Sequence, residues 1–359
     1  MILFNDFVSE YHALKSEIDG AIAGVLARGW FILGEEVAQF ERELADFLGV
    51  RFCVGVASGT DALTLSLMAL EIGLGDEVIA PSMTAFPTIT GIINAGATPV
   101  VVDVQPEDGL IDPQAIRAQI TEKTKAIIPV HLYGQACDMA AIRQIADEYG
   151  LKIVEDCAQA CGADYLGEKV GNFGECGAFS FYPTKNLGAY GDAGAITTND
   201  ENLYQRLRAL RNYGQTTRYY HVAPGLNSRL DELQAAILRV KLKHLGDWNQ
   251  QRAALAEIYH ANLTNVIPLA HRQGEHIYHL YVVRTSEREH LQAYLQAHQI
   301  QTLIHYPVPA HQQPAFRGRR GSDLGNSKKM AAEILSLPIH PWLELHQVEE
   351  IVDRINTFR

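Results

Sequence analysis

Short apolar runs that alternate with amphipathic stretches constrain the fold of this 359-residue chain more than any other feature. Seven runs have the length and β-branched content of strands, at residues 53–56, 77–80, 98–103, 126–130, 152–155, 178–181 and 195–197. Helical patterns separate most of them, for example over 61–71, 113–120 and 139–149. This alternation predicts an α/β fold with a mainly parallel sheet that is covered on both faces.

The last two runs depart from the alternation. Only the loop 182–194 separates them, and it is too short for the helical crossover that joins parallel neighbours. We therefore expect this pair to be connected in another way. Ligands of open α/β sheets bind at the carboxyl ends of the strands, so we expect the functional groups at that edge.

After Asn227 the pattern changes. Residues 230–263 are mainly helical, and a smaller unit follows with strands near 277–285 and 301–303 and a terminal helix near 345–358. We predict a large α/β domain over residues 1–245 and a smaller α+β domain over residues 246–359. No internal repeat or flexible linker separates the two.

Composition excludes several classes of function. Lysine and arginine number 30 against 42 aspartates and glutamates, and the net charge of −12 argues against a nucleic-acid partner. The five cysteines form no CxxC pair, which predicts reduced thiols and no metal site. The chain has neither a signal-peptide pattern at its start nor an apolar run of about 18 residues. We expect a cytoplasmic protein that does not enter a membrane.

The first strand run leads into Ser58, Gly59 and Thr60 at the start of a helical pattern. Small residues at a helix N-terminus leave backbone N–H groups free, and the positive end of the helix dipole favours a phosphate there. An ordinary helix start capped by Ser58 or Thr60 is the alternative. The sequence lacks the glycine-rich motifs of dinucleotide-binding proteins and P-loop NTPases.

Two later runs end in groups that could carry chemistry. The run at 152–155 is followed by Asp156, and alternation along a strand makes Glu155 and Asp156 point to different faces. Lys185 follows the aromatic run at 178–181 in a loop rich in glycine. Desolvation there would lower the pKa of its amine and favour the nucleophilic, neutral form. A surface carboxylate pair and a solvated lysine are the alternatives.

A phosphate turn, then a carboxylate, then a lysine, each after a strand, is the set of groups that binds pyridoxal phosphate. Over nearly its whole length the chain resembles the DegT/DnrJ/EryC1/StrS family of sugar aminotransferases. The resembling segments are 29–34, 58–63, 81–86, 130–134, 155–160, the Lys185 loop and 225–229. The resemblance implies the fold of fold-type-I pyridoxal phosphate enzymes: a mainly parallel seven-stranded sheet in a large domain and a smaller α+β C-terminal domain.

The resemblance also implies roles for single residues. Lys185 would form the Schiff base with the cofactor and move the proton, and Asp156 would keep the pyridine nitrogen protonated. Gln159 would bind the 3-hydroxyl oxygen, and Phe86 would stack on the ring unless it only packs in the core. The remaining cofactor contacts would be made to the phosphate, by Gly59, Thr60 and Ser180 of one subunit and Asn227 of its neighbour. The site would then require a homodimer.

The implied reaction is transamination with L-glutamate as amino donor and a nucleotide-linked keto sugar as acceptor. Arg229 would bind the donor carboxylate; an ion pair with Asp231 or Glu232 is the alternative. The residues implied at the sugar are Tyr182, His305 and Tyr306. Their context resembles members that aminate carbon 3 of dTDP-linked 3-keto-6-deoxyhexoses in deoxyamino-sugar biosynthesis. A carbon-4 aminotransferase and a non-catalytic cofactor-binding scaffold are the alternative functions.

Overall fold

The structure, a computed structural model, describes residues 1–271, 274–321 and 323–359. The described helices are α1 (Phe7–Arg28), α2 (Glu35–Leu48), α3 (Gly59–Ala69), α4 (Phe86–Asn94), α5 (Pro113–Arg117), α6 (Met139–Tyr149), α7 (Glu201–Leu210), α8 (Glu232–Leu242), α9 (Leu245–Asn262), α10 (Arg288–Ala297), α11 (Gly325–Glu333) and α12 (Leu345–Thr357). None of these helices has both the length and the apolar character that crossing a membrane requires.

The described strands fall into one large sheet and several small ones. They are β1 (Phe52–Val56), β2 (Glu77–Pro81), β3 (Thr98–Val102), β4 (Thr124–Ile127), β5 (Lys152–Asp156), β6 (Asp164–Tyr165), β7 (Glu168–Lys169), β8 (Cys176–Ser180), β9 (Gly194–Thr198), β10 (Gln215–Thr217), β11 (Tyr220–His221), β12 (Ile267–Pro268), β13 (Tyr281–Arg284), β14 (Arg319–Arg320) and β15 (Ile334–Leu337).

The large sheet has the order β1-β9-β8-β5-β4-β2-β3-β14. All seven predicted strands are in it, and nearly every residue inside them is buried, as a sheet covered on both faces requires. Strand β9 runs antiparallel to both of its neighbours, β1 and β8, whereas the other pairs are parallel. The expectation that β8 and β9 lack a parallel crossover is therefore confirmed.

The sheet of the described residues has eight strands rather than the predicted seven, because β14 pairs in parallel with the outer edge of β3. Its two arginines have none of the apolar alternation by which a strand is recognised. Contacts hold the segment instead: the Arg319 guanidinium donates to Gln119 Oε1 at 2.6 Å and pairs with the Glu77 carboxylate at 3.1 Å.

A second, antiparallel sheet in the order β12-β13-β15 lies in the C-terminal part of the chain. It packs with α9, α10 and α12 around a hydrophobic cluster of its own. The strand expected near 277–285 is the shorter β13, and that expected at 301–303 is only a single bridge between Leu303 and Ser336. The boundary at residue 245 stays a prediction, and Ile2 packs within the C-terminal cluster.

Candidate active site

A cavity of about 320 Å³ lies where β1, β2, β5 and β8 end, at their carboxyl edge. Parallel strands bring their ends together, so segments distant in sequence meet here. Seven of the predicted residues line the cavity: Gly59, Thr60, Asp156, Gln159, Ser180, Tyr182 and Lys185. The phosphate turn, the carboxylate and the lysine that were expected at the carboxyl edge of the sheet therefore lie in one cavity.

One wall of the cavity is the N-terminus of α3. Ser58 is its N-cap, with its hydroxyl accepting from the Asp61 N–H at 3.1 Å, so the capping expectation is confirmed for Ser58. Within the described residues, the N–H groups of Gly59 and Thr60 have no hydrogen-bond acceptor. A Cβ on Gly59 would lie 2.6 Å from the Cβ of Ser180, which explains why only glycine fits. The turn thus offers uncharged donors to an anion.

Asp156, at the end of β5, is buried and has two hydrogen-bond donors. Thr88 donates its hydroxyl proton to Oδ2 at 2.8 Å, and the Ala158 N–H donates to Oδ1 at 3.1 Å. Burial raises the pKa of this carboxyl above its ordinary value, and the two hydrogen bonds and the charge of Lys185 oppose that rise. The side chain therefore combines a desolvated carboxyl with contacts that favour its ionised form.

Lys185 lies in the loop after β8, and its amine is held in desolvated surroundings. Burial lowers the pKa of the Lys185 amine to about 8, and the Asp156 carboxylate opposes part of the shift. The neighbouring Asn186 fixes the loop, since its amide donates to Asn249 Oδ1 at 2.8 Å and to the Ile277 carbonyl at 3.1 Å. A substantial fraction of this amine is therefore neutral near pH 8 and able to act as a base or a nucleophile.

Gln159 links the cavity to the C-terminal segment. Its Oε1 accepts from the Tyr133 N–H at 2.6 Å, and its Nε2 donates to the Tyr306 hydroxyl at 2.9 Å. The Tyr133 hydroxyl donates to the carbonyl of His305. His305 Nδ1 lies 2.9 Å from Ser336 Oγ, and burial with the charge of Lys185 lowers its pKa to about 4. Gln159 is thus held in one orientation, and His305 is neutral at physiological pH.

Comparison with known proteins identifies the family. The sequence profile of the DegT/DnrJ/EryC1/StrS aminotransferase family matches residues 12–356. The chain belongs to this family. Over 361 aligned residues it is 49% identical to the dTDP-3-amino-3,6-dideoxy-alpha-D-galactopyranose transaminase of Aneurinibacillus thermoaerophilus, covering 100% of this chain and 99% of that protein.

Two solved structures extend the similarity to three dimensions. The crystal structure of S. venezuelae DesV has a TM-score of 0.96 and 44% identity, with 99% of this chain and 97% of that chain covered. Bacillus subtilis NtdA with its bound cofactor PMP has a TM-score of 0.88 and 32% identity, with 95% and 80% covered. This aminotransferase therefore has the fold of fold-type-I pyridoxal phosphate enzymes.

Pyridoxal phosphate fits the cavity of this aminotransferase. The free N–H groups at Gly59 and Thr60 suit a phosphate, and the buried carboxylate of Asp156 suits a protonated ring nitrogen. A covalent link to the cofactor would need a lysine, and Lys185 lines the cavity together with Tyr182. The chemistry of the lining thus agrees with the cofactor of the family.

Three predicted cofactor or donor residues of the aminotransferase lie outside the cavity lining of the described residues. Phe86 packs against the main core, although its neighbours Ala85 and Pro87 line the cavity. Asn227 is exposed, and its backbone pairs with that of Asn212. Arg229 is half-buried, donates to Asn212 Oδ1 at 3.0 Å and lies over the Tyr213 ring. The structure of one chain therefore does not bring these three to the cavity.

Neither alternative partner of Arg229 forms an ion pair with it among the described residues. The Glu232 carboxylate instead accepts from backbone N–H groups at the start of α2, those of Gly34, Glu36 and Val37. Glu232 therefore caps α2, where a negative charge is favourable at the helix N-terminus.

His305 and Tyr306, predicted to contact the sugar, lie beside the cavity rather than in its lining. Tyr306 is connected to the cavity by its hydrogen bond with Gln159, and His305 by its electrostatic interaction with Lys185. Sequence reasoning missed Thr84, Thr88 and Asp192, which line the cavity. No local pattern singles out the two threonines, because Thr88 lies in the first turn of α4 whereas Thr84 precedes the helix.

Glu155 is bound differently from its neighbour Asp156. One oxygen accepts from the N–H groups of Phe173 and Gly174, and the other lies 2.9 Å from the Gly171 nitrogen and 3.0 Å from His131 Nε2. His131 Nδ1 accepts from the Cys137 N–H, so Nε2 carries the proton and donates to Glu155. These contacts occupy both oxygens, and Glu155 holds the surrounding loops together.

Proposed function

We propose that the chain transfers the amino group of L-glutamate to carbon 3 of a dTDP-linked 3-keto-6-deoxyhexose, with pyridoxal phosphate as cofactor. The observation that carries this proposal is the half-buried Lys185, with its lowered pKa, in the same cavity as the buried Asp156. The Aneurinibacillus relative is named for a dTDP-3-amino-3,6-dideoxy sugar, which supports carbon 3 as the position aminated.

Pyridoxal phosphate supplies, when bound, an electron sink for the negative charge that develops on the substrate carbon. We propose that Gly59, Thr60 and Ser180 bind its phosphate, that Asp156 holds the proton on its ring nitrogen, and that Gln159 binds its 3-oxygen. Phe86 would cover the ring in this proposal; it lies outside the cavity lining itself, but its neighbours Ala85 and Pro87 are part of that lining.

Lys185 carries the proton transfers in this proposal. Its Nζ takes the proton from the amino-bearing carbon of the donor in one half-reaction and delivers a proton to the sugar carbon in the other. A pKa of about 8 suits both directions, because the protonated and the neutral amine are both populated near neutral pH. Asp192 and Tyr182 complete the cavity on the side of this loop.

Different residues would bind the donor and the sugar. We propose that Arg229 binds a donor carboxylate; its guanidinium has no carboxylate partner among the described residues, and its planar fork suits bidentate binding. Tyr182, whose side chain is 53% exposed, and the His305–Tyr306 pair would contact the sugar. The neutral His305 can accept or donate a hydrogen bond there without adding a charge.

We further propose a homodimer in which Asn227 of each chain reaches the phosphate in its partner. Asn227 is exposed in the single chain. Trp30 and Phe31 expose 63% and 47% of their surface, and Ile32 pairs with Asp231, close to Asn227 in sequence. An apolar surface next to an unused polar side chain supports burial by a second copy. The five buried, free cysteines support a reducing compartment such as the cytoplasm.

Product analysis tests the function directly. The protein, loaded with pyridoxal phosphate, is incubated with L-glutamate and either a 3-keto or a 4-keto dTDP-6-deoxyhexose, and the position of the new amine is determined by NMR. We expect an amine at carbon 3 only. An amine at carbon 4 would establish the alternative aminotransferase, and bound cofactor without any amino sugar or 2-oxoglutarate would establish the scaffold.

A further inference from the structure

Three buried side chains form a continuous chain of hydrogen bonds that ends on Asp156. Thr84 Oγ1 lies 2.8 Å from Thr88 Oγ1, and Thr88 Oγ1 lies 2.8 Å from Asp156 Oδ2. The exposed fractions are 3% for Thr84, 1% for Thr88 and 4% for Asp156, so bulk water does not replace these contacts. Thr84 lies in the β2–α4 connection and Thr88 in the first turn of α4, whereas Asp156 ends β5.

The direction of the protons in this chain depends on the charge of Asp156. An ionised carboxylate only accepts, so the single proton of the Thr88 hydroxyl is donated to Oδ2. Thr88 then accepts from the Thr84 hydroxyl, and both hydroxyl dipoles point the same way. Protonation of Asp156 on Oδ2 would put two protons between the same pair of oxygens and force both hydroxyls to turn. The hydrogen bond from Thr88 therefore favours the ionised carboxylate.

The surroundings of Asp156 make the hydrogen bond from Thr88 important for the charge of its carboxyl group. The ionisable groups that interact with its carboxyl are Lys185, His131, Tyr306 and Cys157. The first two oppose the rise in the Asp156 pKa. Burial favours the neutral acid, and the Thr88 hydroxyl is the strongest of the contacts that oppose it. Thr88 also lies in the first turn of α4, where the helix dipole favours a nearby negative charge.

We propose that Thr88 is a positioning residue of this aminotransferase, which holds Asp156 ionised and fixed in direction toward the ring nitrogen, and that Thr84 aligns the Thr88 hydroxyl for this task. The inference rests on the proposed function through the contact between Asp156 and pyridoxal phosphate. By this inference the β2–α4 connection and the first turn of α4 help to keep the cofactor protonated, although neither threonine carries a charge.

Thr88→Val tests the inference, because valine keeps the shape of threonine and removes only the hydroxyl. A hydrogen bond to a charged group is worth about tenfold in an equilibrium constant, which corresponds to about one pH unit. We expect the dissociation constant of pyridoxal phosphate, measured by equilibrium dialysis at pH 7, to rise about tenfold. We also expect the acidic limb of the kcat–pH profile to move about one unit toward higher pH, since Asp156 would accept a proton more readily.

Two matched variants separate positioning from general stability. Thr88→Ser keeps the hydroxyl and should restore the wild-type affinity and pH profile. Thr90→Val removes a hydroxyl from the same helix, where it bonds the Phe86 carbonyl at 3.3 Å, and should change neither. Thr84→Val should shift both measurements in the same direction as Thr88→Val but by only about threefold, because its effect on Asp156 passes through Thr88.

The outcomes distinguish this inference from the proposed function. If the wild-type protein binds pyridoxal phosphate and transfers amino groups while Thr88→Val matches Thr90→Val in affinity and pH profile, the positioning role is wrong and the function stands. The role is also wrong if Thr88→Ser fails to restore the profile. If the wild-type protein neither binds the cofactor nor produces amine, the proposed function itself is wrong.

Discussion

Glu155 and Asp156 are consecutive carboxylates at the end of one strand, yet their surroundings differ in kind. Glu155 is fully buried, and four donors occupy its two oxygens. Asp156 is nearly as buried but has only two donors, and it lines a cavity that also contains Lys185. Because side chains alternate along a strand, one carboxylate enters the loops behind the sheet and the other enters the cavity.

Saturation of hydrogen bonds, rather than burial, separates the structural carboxylate of Glu155 from the chemical carboxylate of Asp156. A fully bonded carboxylate has no capacity left for a ligand, and removing its charge disrupts the backbone groups that it binds. A carboxylate with capacity left toward a cavity can bind a cationic group there. The variants below test this difference, in order of the effect expected.

The largest effect is expected for Lys185→Ala, because it removes the group that faces Asp156 and none of those around Glu155. We expect kcat to fall about 10⁴-fold, since a positioned acid–base group contributes up to about that factor. Steady-state assays with saturating donor and acceptor measure the loss. The exposed Lys329→Ala should match the wild type, and residual turnover above one per cent in Lys185→Ala would contradict the role.

The next largest effect is expected for Asp156→Asn, which keeps the size of the side chain but removes its charge. Opposite charges about 4 Å apart at an effective dielectric constant of about 20 attract by about 4 kcal/mol, so we expect kcat to fall about 10³-fold. The free energy of unfolding, measured with urea, should stay within about 1 kcal/mol. A large loss of stability with normal kcat would show that Asp156, like Glu155, stabilises the fold and does not take part in the reaction.

Glu155→Gln should show the opposite result. The new amide group would point its protons at backbone N–H groups, and breaking a buried charged contact destabilises a protein by about 3 kcal/mol or more. We expect the free energy of unfolding to fall by about 3 kcal/mol in urea titrations, and kcat per folded molecule to change less than about threefold. The exposed Glu168→Gln is the control and should change neither quantity. A stable but inactive Glu155→Gln would show that Glu155, and not only Asp156, is needed for the reaction.

The smallest effect concerns the charge state of Lys185. The neutral amine captures pyridoxal phosphate, so we expect the capture rate of the cofactor-free protein to rise with pH and to be half-maximal at about 8. Asp156 raises the pKa of this amine, so Asp156→Asn should move the midpoint on the order of one unit lower, and Glu155→Gln should not move it. Stopped-flow absorbance at excess cofactor measures the capture rate in both variants. Equal shifts of the midpoint in Asp156→Asn and Glu155→Gln would show that the two carboxylates do not differ in their effect on Lys185.

Much of the fold follows from local pattern. The seven apolar runs became strands of one sheet because buried parallel strands are apolar throughout, and the short loop 182–194 correctly excluded a crossover between β8 and β9. The positions of Asp156 and Lys185 followed from the rule that strand ends meet at one edge. These features depend on residues that are near in sequence or on topology alone.

Other features depend on contacts that no local pattern records. Strand β14 forms because Arg319 bonds to Glu77 and Gln119, which lie 242 and 200 residues earlier in the chain. The link from Thr88 to Asp156 spans 68 residues and joins two elements that the sheet brings together. Arg229 has Asn212 as its partner rather than either nearby acid, because Glu232 is engaged at the start of α2.

The late position of β14 in the chain has a consequence for synthesis in the cell. A protein emerges from the ribosome amino end first, so β3 is made long before Arg319 and Arg320 can cover its outer edge. Until then its free N–H and C=O groups form a template on which another nascent chain can add a strand. Any truncation that ends before Arg319 leaves that edge permanently open, and such a product should self-associate even though every residue that lines its cavity is present.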